Sequence, residues 1–128
     1  MIKRVVFVAG GVGMNPFVSM LAAIAEGEVA FEVVVLYAAK LPKSGKLQDI
    51  LWYERVNTII RGIGGTFKVF LTGGSESFTQ REGVEYEMRR MRGADLERLL
   101  GEVQERIGTV VYVCGEFSFF VMRRGRDV

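Results

Sequence analysis

Three glycines near the start of the chain have the type and spacing to bind an anion. Gly10, Gly11 and Gly13 lie in one short stretch, with Val12 as the only larger residue among them. Glycines allow backbone N–H groups to approach a ligand closely, because they carry no side chain. A helix directly after such a stretch adds unpaired N–H groups and the positive end of its dipole. The stretch therefore predicts a phosphate-binding turn, and a tight turn with a purely steric role is the alternative.

The residues on either side of this turn indicate a strand before it and a helix after it. Residues 5–9 (VVFVA) are apolar without polar alternation, which is typical of a strand buried on both faces of a parallel sheet. Pro16 suits the first helical position, and Asn15 suits the N-cap before it. Apolar residues then recur at helical spacing, at Phe17, Met20, Leu21 and Ile24. The glycine spacing matches neither the G-x-G-x-x-G dinucleotide motif nor a P-loop, so the turn alone does not decide the function.

Composition excludes several classes of function. The 128 residues, 49% of them hydrophobic, are enough for one domain with a core. A net charge of +2, from 17 basic and 15 acidic residues, does not indicate a nucleic-acid surface. With one cysteine and no histidine, we expect no internal disulfide, no histidine-based triad and no metal site. No apolar run approaches the roughly 18 residues of a membrane span. Because residues 1–4 lead directly into the first predicted strand, we expect them not to form a signal or transit peptide.

Further strand and helix patterns alternate along the chain. Strands are predicted at residues 31–37, 66–72 and 109–113, and helices at residues 47–60 and 95–107. The partial alternation of the strand at 66–72 suits a sheet edge. Residues 73–92 form a polar excursion, and loops of that length are usually functional or mobile.

This alternation predicts an α/β fold, with a parallel sheet, right-handed crossovers and helices on both faces. If the strand order is 3-2-1-4, the order reverses between the first and fourth strands. Ligands on such sheets bind at the carboxyl ends of the strands, beside this reversal. The first strand ends in the glycine turn and the fourth ends in Cys114 and Gly115. The binding site is therefore predicted where these two strand ends meet.

Three segments together resemble a known family: residues 9–16 (AGGVGMNP), 35–37 (VLY) and 111–115 (VYVCG). They look like the pyridine-nucleotide-binding lobe of the ferredoxin-NADP reductase superfamily, and are most similar to the mitochondrial oxidoreductase NAD-binding-domain-containing proteins. The resemblance implies a Rossmann-like NAD(P)-binding lobe at residues 1–115 and an atypical tail at residues 116–128. In that family a separate barrel domain holds FAD or FMN, and hydride passes from the nicotinamide to the flavin.

The resemblance also implies roles for individual residues. The pyrophosphate would lie against the turn and the start of its helix, at Gly10, Gly11, Val12, Gly13, Asn15 and Pro16. The nicotinamide would lie beside Cys114, which is the catalytic candidate, and Gly115. The alternative for Cys114 is a structural role, as a small buried residue at the end of a strand. Four residues supply the residue types that hold a 2′-phosphate and adenine in NADP-preferring members: Ser75, Arg81, Tyr86 and Arg90. The alternative is that the two arginines are simply solvated.

The chain departs from the family at both ends. Residues 1–128 contain no counterpart of the flavin-binding barrel, and Gly115 is followed by Glu116 and not by the proline of a Cys-Gly-Pro motif. From the sequence we expect no fifth strand after Gly115. We therefore expect FAD only through a flavin-binding barrel domain of a parent chain or a partner. We also expect self-association through the strand at 109–113 and the tail, and a mitochondrial location by resemblance.

Three functions stay open at this point. The first is the NAD(P)H-binding lobe of a flavin-dependent oxidoreductase, inactive without its flavin domain. The second is a non-catalytic, truncated remnant that acts as a nucleotide-binding or interaction module. The third, a flavodoxin-like FMN carrier, shares the sheet but would need a hydroxyl-rich phosphate loop, so we rank it last.

Overall fold

Strands and helices alternate in the computed structural model of the chain, which describes residues 1–73 and 85–115. The strands in these ranges are β1 (Arg4–Gly10), β2 (Glu32–Lys40), β3 (Thr66–Thr72), β4 (Glu85–Glu87) and β5 (Thr109–Cys114). The α-helices are α1 (Asn15–Glu26), α2 (Tyr53–Ile63) and α3 (Gly93–Leu100). Short 3₁₀ turns lie at Gly11–Met14, Leu47–Asp49 and Val103–Arg106.

All strand pairs are parallel, and the sheet has the order β4-β3-β2-β1-β5. β1 lies between β2 and β5, and β2 lies between β1 and β3. Consecutive residues of both strands are buried, so both faces of β1 and β2 are covered, which explains why these strands are almost continuously apolar. The predicted α/β fold is confirmed, and so is the reversal of strand order between β1 and β5.

Two apolar clusters cover the two faces of the sheet. The larger cluster joins Phe7, Tyr37 and Val69 of the strands to Leu21 of α1 and Val56 of α2. The smaller cluster lies on the opposite face, where Val6, Val8 and Phe70 pack with Leu96 of α3. Helices therefore cover both faces, as predicted.

Arg4 connects the end of α3 to the centre of the sheet. Its guanidinium donates hydrogen bonds to the carbonyl oxygens of Leu99 (2.9 Å) and Leu100 (3.1 Å), and to the hydroxyl of Thr109 (3.1 Å). A cation at the carboxyl end of a helix also interacts favourably with the helix dipole. These bonds hold α3 close to the junction of β1 and β5.

The prediction that β3 lies at the sheet edge is wrong for its central residues. The short strand β4 pairs with β3 from Lys68 to Phe70. The polar Lys68 that suggested an edge instead has its ammonium 3.6 Å from the carboxylate of Glu87. Three residues inside a polar stretch give too little pattern to predict a strand.

The predicted helix at residues 47–60 is split into two parts. A 3₁₀ turn occupies Leu47–Asp49, and α2 begins only at Tyr53. Between them Trp52 has a left-handed backbone, with φ 63° and ψ 5°, which no α-helix accommodates. Leu47 and Ile50 are buried, so their spacing indicated the core correctly but the helix wrongly.

The predicted helix at residues 95–107 is also shorter than expected. α3 ends at Leu100, because Gly101 adopts a φ of 74° and ends the helical bonding. Val103 and Ile107 are 75% and 71% exposed, so their helical spacing does not mark a core face. Within the described ranges, no helix has both the length and the apolar character to cross a membrane.

Candidate functional site

The end of β5 lies directly against the glycine turn. Ala9 and Cys114 are partners in the β1–β5 register, so both strands end at the same level. A Cβ atom added to Gly13 would overlap the carbonyl oxygen of Cys114 and lie 2.6 Å from its carbonyl carbon. A Cβ atom added to Gly115 would lie 2.9 Å from the backbone nitrogen of Gly10. The two segments therefore meet backbone to backbone, with no side chain between them.

The outer part of the turn is open. Gly11 has a φ of 53°, a conformation that favours glycine, and a Cβ atom there would meet nothing within 4 Å. Val12 follows with 72% of its surface exposed. Gly13 therefore serves close packing against β5, whereas Gly11 allows the turn to bend and leaves open space beside it.

Asn15 is not the N-cap that the sequence predicted. It has helical dihedral angles (φ −50°, ψ −54°), the cap position belongs to Met14, and no side chain caps the helix. The Asn15 side-chain oxygen instead accepts a hydrogen bond from the indole N–H of Trp52, at 2.5 Å. Pro16 lies within the first turn, where its missing N–H is tolerated. The first turn of α1 contains no acidic residue, so an anion there would meet a favourable dipole.

Tyr37 joins the turn to the loop between β2 and α2. Its hydroxyl lies 2.9 Å from the carbonyl oxygen of Leu51 and 3.3 Å from that of Gly11. Both neighbours are acceptors, so the phenol is the donor and keeps its proton. Burial raises the pKa of Tyr37 to about 12, which favours the same protonated form.

Sequence reasoning gave no role to Tyr37 or Trp52. Their signal was weak, because a tyrosine at the end of a strand and a tryptophan at the start of a helix are usual core residues. Only the fold brings them to the turn, from positions 26 residues beyond Gly11 and 37 residues beyond Asn15.

Comparison with known proteins identifies the family. The family model of the oxidoreductase NAD-binding domain matches residues 7–124, which includes the glycine turn, Cys114 and Gly115. The chain belongs to this family. The searches of curated proteins and of solved structures found no match. The resemblance to a pyridine-nucleotide-binding lobe is thereby confirmed, and the expected boundary at residue 115 stays a prediction.

In this NAD-binding domain, Cys114 is a partly exposed free thiol. The residue is partly buried and packs against the larger apolar cluster. Its position at the end of β5, beside the turn, is the one that the sequence predicted. A role beside the nicotinamide stays a prediction, as does the binding role of each residue of the turn.

The residues expected to recognise NADP are only partly placed. Ser75 and Arg81 lie outside the described residues. Tyr86 belongs to β4, opposite Val69 of β3, and Arg90 follows β4 with an exposed side chain. β4 and β5 form opposite edges of the described sheet, so Tyr86 and Arg90 lie at the edge far from β5.

The neighbouring Arg89 has a structural role. Its guanidinium donates to both carboxylate oxygens of Asp95 (2.5 and 2.9 Å) and to Glu87 (2.6 Å), and it lies over the ring of Phe70. The hydrogen bond from Arg89 holds the pKa of the Asp95 carboxyl at about 2, below its usual value of 3.8. Asp95 also accepts a hydrogen bond from the Arg92 N–H at the start of α3. This network connects β4 to α3 and leaves Arg89 unsuited to a phosphate.

The described residues also bear on metal binding. Within residues 1–73 and 85–115, no group of three or more Asp, Glu, Cys or His side chains is arranged to hold a metal ion.

Proposed function

We propose that this domain binds NADH or NADPH at the junction of the glycine turn and the end of β5, and orients the nicotinamide for hydride transfer to a flavin. The observation that carries the proposal is the backbone contact between Gly13 and Cys114, which lies at the reversal of strand order. Open α/β sheets bind nucleotides at this location. The match to the NAD-binding family supports the same ligand.

The residues of the turn suit a pyrophosphate. Gly11 leaves open space, and the start of α1 presents a helix dipole without a competing acidic side chain. The bound nicotinamide would supply the hydride, and the domain would supply orientation and electrostatics. Gly115 lets the chain pass close to Gly10, so the ends of β1 and β5 lie together at the proposed nicotinamide site.

The flavin would be held by a separate barrel domain, in the parent chain or in a partner protein. This part of the proposal, and a mitochondrial location, follow from the family resemblance. The chemistry is a two-electron transfer in which the dihydronicotinamide is oxidised and the flavin is reduced.

Val12 gives a sharp test, because its side chain is exposed and its replacement leaves the core intact. Val12→Glu places a carboxylate beside the proposed pyrophosphate site, and Val12→Gln is a control of the same shape without charge. At about 5 Å, repulsion between two unit charges is about 0.8 kcal/mol in water and about 3 kcal/mol near a protein surface. We therefore expect roughly 4-fold to 150-fold weaker NADH binding for the glutamate variant than for the glutamine variant.

Calorimetric titration with NADH and NADPH measures this difference, and added salt should reduce it. Equal affinities of the two variants would place the pyrophosphate away from the turn. A wild-type chain that binds neither nucleotide would refute the proposed function.

A further inference from the structure

Trp52 has an unusual backbone conformation for its side chain. Among the residues that the structure describes, it is the one non-glycine residue with positive φ, at 63°. The left-handed conformation is unfavourable for residues other than glycine, and for a bulky side chain it is an outlier. Such conformations persist where surrounding contacts hold them, and they concentrate at functional sites.

Two side-chain hydrogen bonds hold the loop that contains Trp52. The Trp52 indole donates to the Asn15 side chain at 2.5 Å. The adjacent carbonyl of Leu51 accepts from the Tyr37 hydroxyl at 2.9 Å. Trp52 is also 39% exposed, so its ring is not buried in the core as a tryptophan with a packing role would be.

These bonds reach both ends of the glycine turn. The 3₁₀ turn spans Gly11–Met14, and Asn15 follows it directly as the first residue of α1. Tyr37 lies 3.3 Å from the carbonyl oxygen of Gly11, at the other end. The loop between β2 and α2 is therefore connected to the turn where it begins and where it ends.

We propose that Trp52, Asn15 and Tyr37 form a clamp that fixes the backbone of the glycine turn in the conformation that binds NAD(P)H. This inference rests on the proposed function, and it makes Trp52 a positioning residue that acts through Asn15. A fixed turn has little conformational freedom to lose when the nucleotide binds, whereas a loosened turn must first be ordered. Loss of the clamp through Trp52, which is not among the residues assigned to the pyrophosphate, therefore weakens nucleotide binding without removing a ligand contact.

The test is a double-mutant cycle on the NADH dissociation constant. Trp52→Phe keeps an aromatic ring and removes the donor, and Asn15→Leu keeps the shape and removes the acceptor. Leu51→Ala is the matched control, because it shortens an exposed side chain of the same loop and keeps the carbonyl that Tyr37 uses.

We expect each of the two clamp variants to bind NADH about 2-fold to 10-fold more weakly, as for loss of one hydrogen bond. The double variant should bind no more weakly than either single variant, because both remove the same bond. The control should bind as the wild type does. Equal dissociation constants for all variants would overturn the clamp while leaving the proposed function intact, and absence of binding by the wild type would overturn both.

Amide hydrogen exchange in the nucleotide-free protein separates positioning from a merely structural role. The clamp predicts faster exchange in the variants at the amides of Gly11–Met14, with unchanged exchange in β1 and β2, and slowing of the turn when NADH is added. A uniform increase over the whole sheet would show general destabilisation and overturn the inference. The fluorescence of Trp52, the single tryptophan of the chain, gives a direct signal as well, because Asn15→Leu should shift its emission.

Discussion

The contact between Gly13 and the end of β5 makes a strong prediction about stability. Gly13→Ala adds a methyl group whose Cβ atom would overlap the carbonyl oxygen of Cys114 and lie 3.1 Å from the Gly115 nitrogen. Both obstacles are backbone atoms, so no side-chain rotation can relieve the overlap. The turn and the end of β5 must therefore move apart.

Overpacking of this kind costs about 1 to 3 kcal/mol, and a rigid backbone neighbour favours the upper part of that range. For a domain of this size, 1 kcal/mol corresponds to roughly 3 to 6 °C in Tm. We expect Gly13→Ala to lower Tm by about 6 to 18 °C, and to weaken NADH binding at temperatures where the domain stays folded.

Gly62→Ala is the matched control for the same chemical change. Gly62 belongs to α2, and a Cβ atom there would meet nothing within 4 Å. Alanine is favoured over glycine in a helix by up to about 1 kcal/mol, so this variant should be slightly more stable than the wild type. Thermal unfolding followed by circular dichroism measures Tm for both variants. A Gly13→Ala chain as stable as the wild type would contradict the placement of the turn against β5.

Four further predictions follow from the described residues and from the family resemblance. Asp95 has a lowered pKa in the folded state, so its contribution of up to about 2 kcal/mol is present above pH 4 and is lost as the pH falls towards 2. Asp95→Asn should therefore be less stable at pH 7, and the difference from the wild type should disappear as the pH falls below about 2. The double variant Arg81→Ala, Arg90→Ala should weaken NADPH binding by roughly tenfold or more and spare NADH, and equal losses would remove the NADP assignment. The isolated chain should show no flavin absorption and no NADPH-dependent dye reduction, and either signal in purified protein would refute its dependence on a flavin domain. Within the described ranges β5 pairs on one side only, so we expect self-association, which a clean monomer by light scattering at high concentration would contradict.

The strands that form the centre of the sheet were predictable because burial on both faces leaves a continuous apolar run. Residues 5–9 fall inside β1, and residues 31–37 overlap β2 except for the first of them. Residues 109–113 also fall inside β5, although that strand is only partly buried and lies at the edge of the described sheet. The reversal of strand order followed from the fold class, and it located the turn beside Cys114 and Gly115. This part of the site depends on backbone sterics, which glycine positions express directly in the sequence.

The helices were predicted less well because periodicity reports burial and not backbone conformation. Leu47 and Ile50 are buried, but they approach the core from a 3₁₀ turn and an extended residue. For Val103 and Ile107 the expected burial itself was wrong, because both side chains are exposed despite their helical spacing. Gly101 was the local signal that α3 ends, and the apolar spacing on either side of it outweighed that signal.

The failed prediction for Asn15 explains why the clamp could not be read from the sequence. Asparagine before a proline is a good local candidate for an N-cap, because its side chain can accept a bond from the first turn. In the fold, a stronger competitor is present: the Trp52 indole donates to the same oxygen, and it comes from a loop 37 residues away. The Trp52 backbone is left-handed at that position, a conformation that no local rule assigns to tryptophan. Glycines therefore make the turn predictable from the sequence. The groups that fix its conformation come from distant parts of the chain and are visible only in the structure.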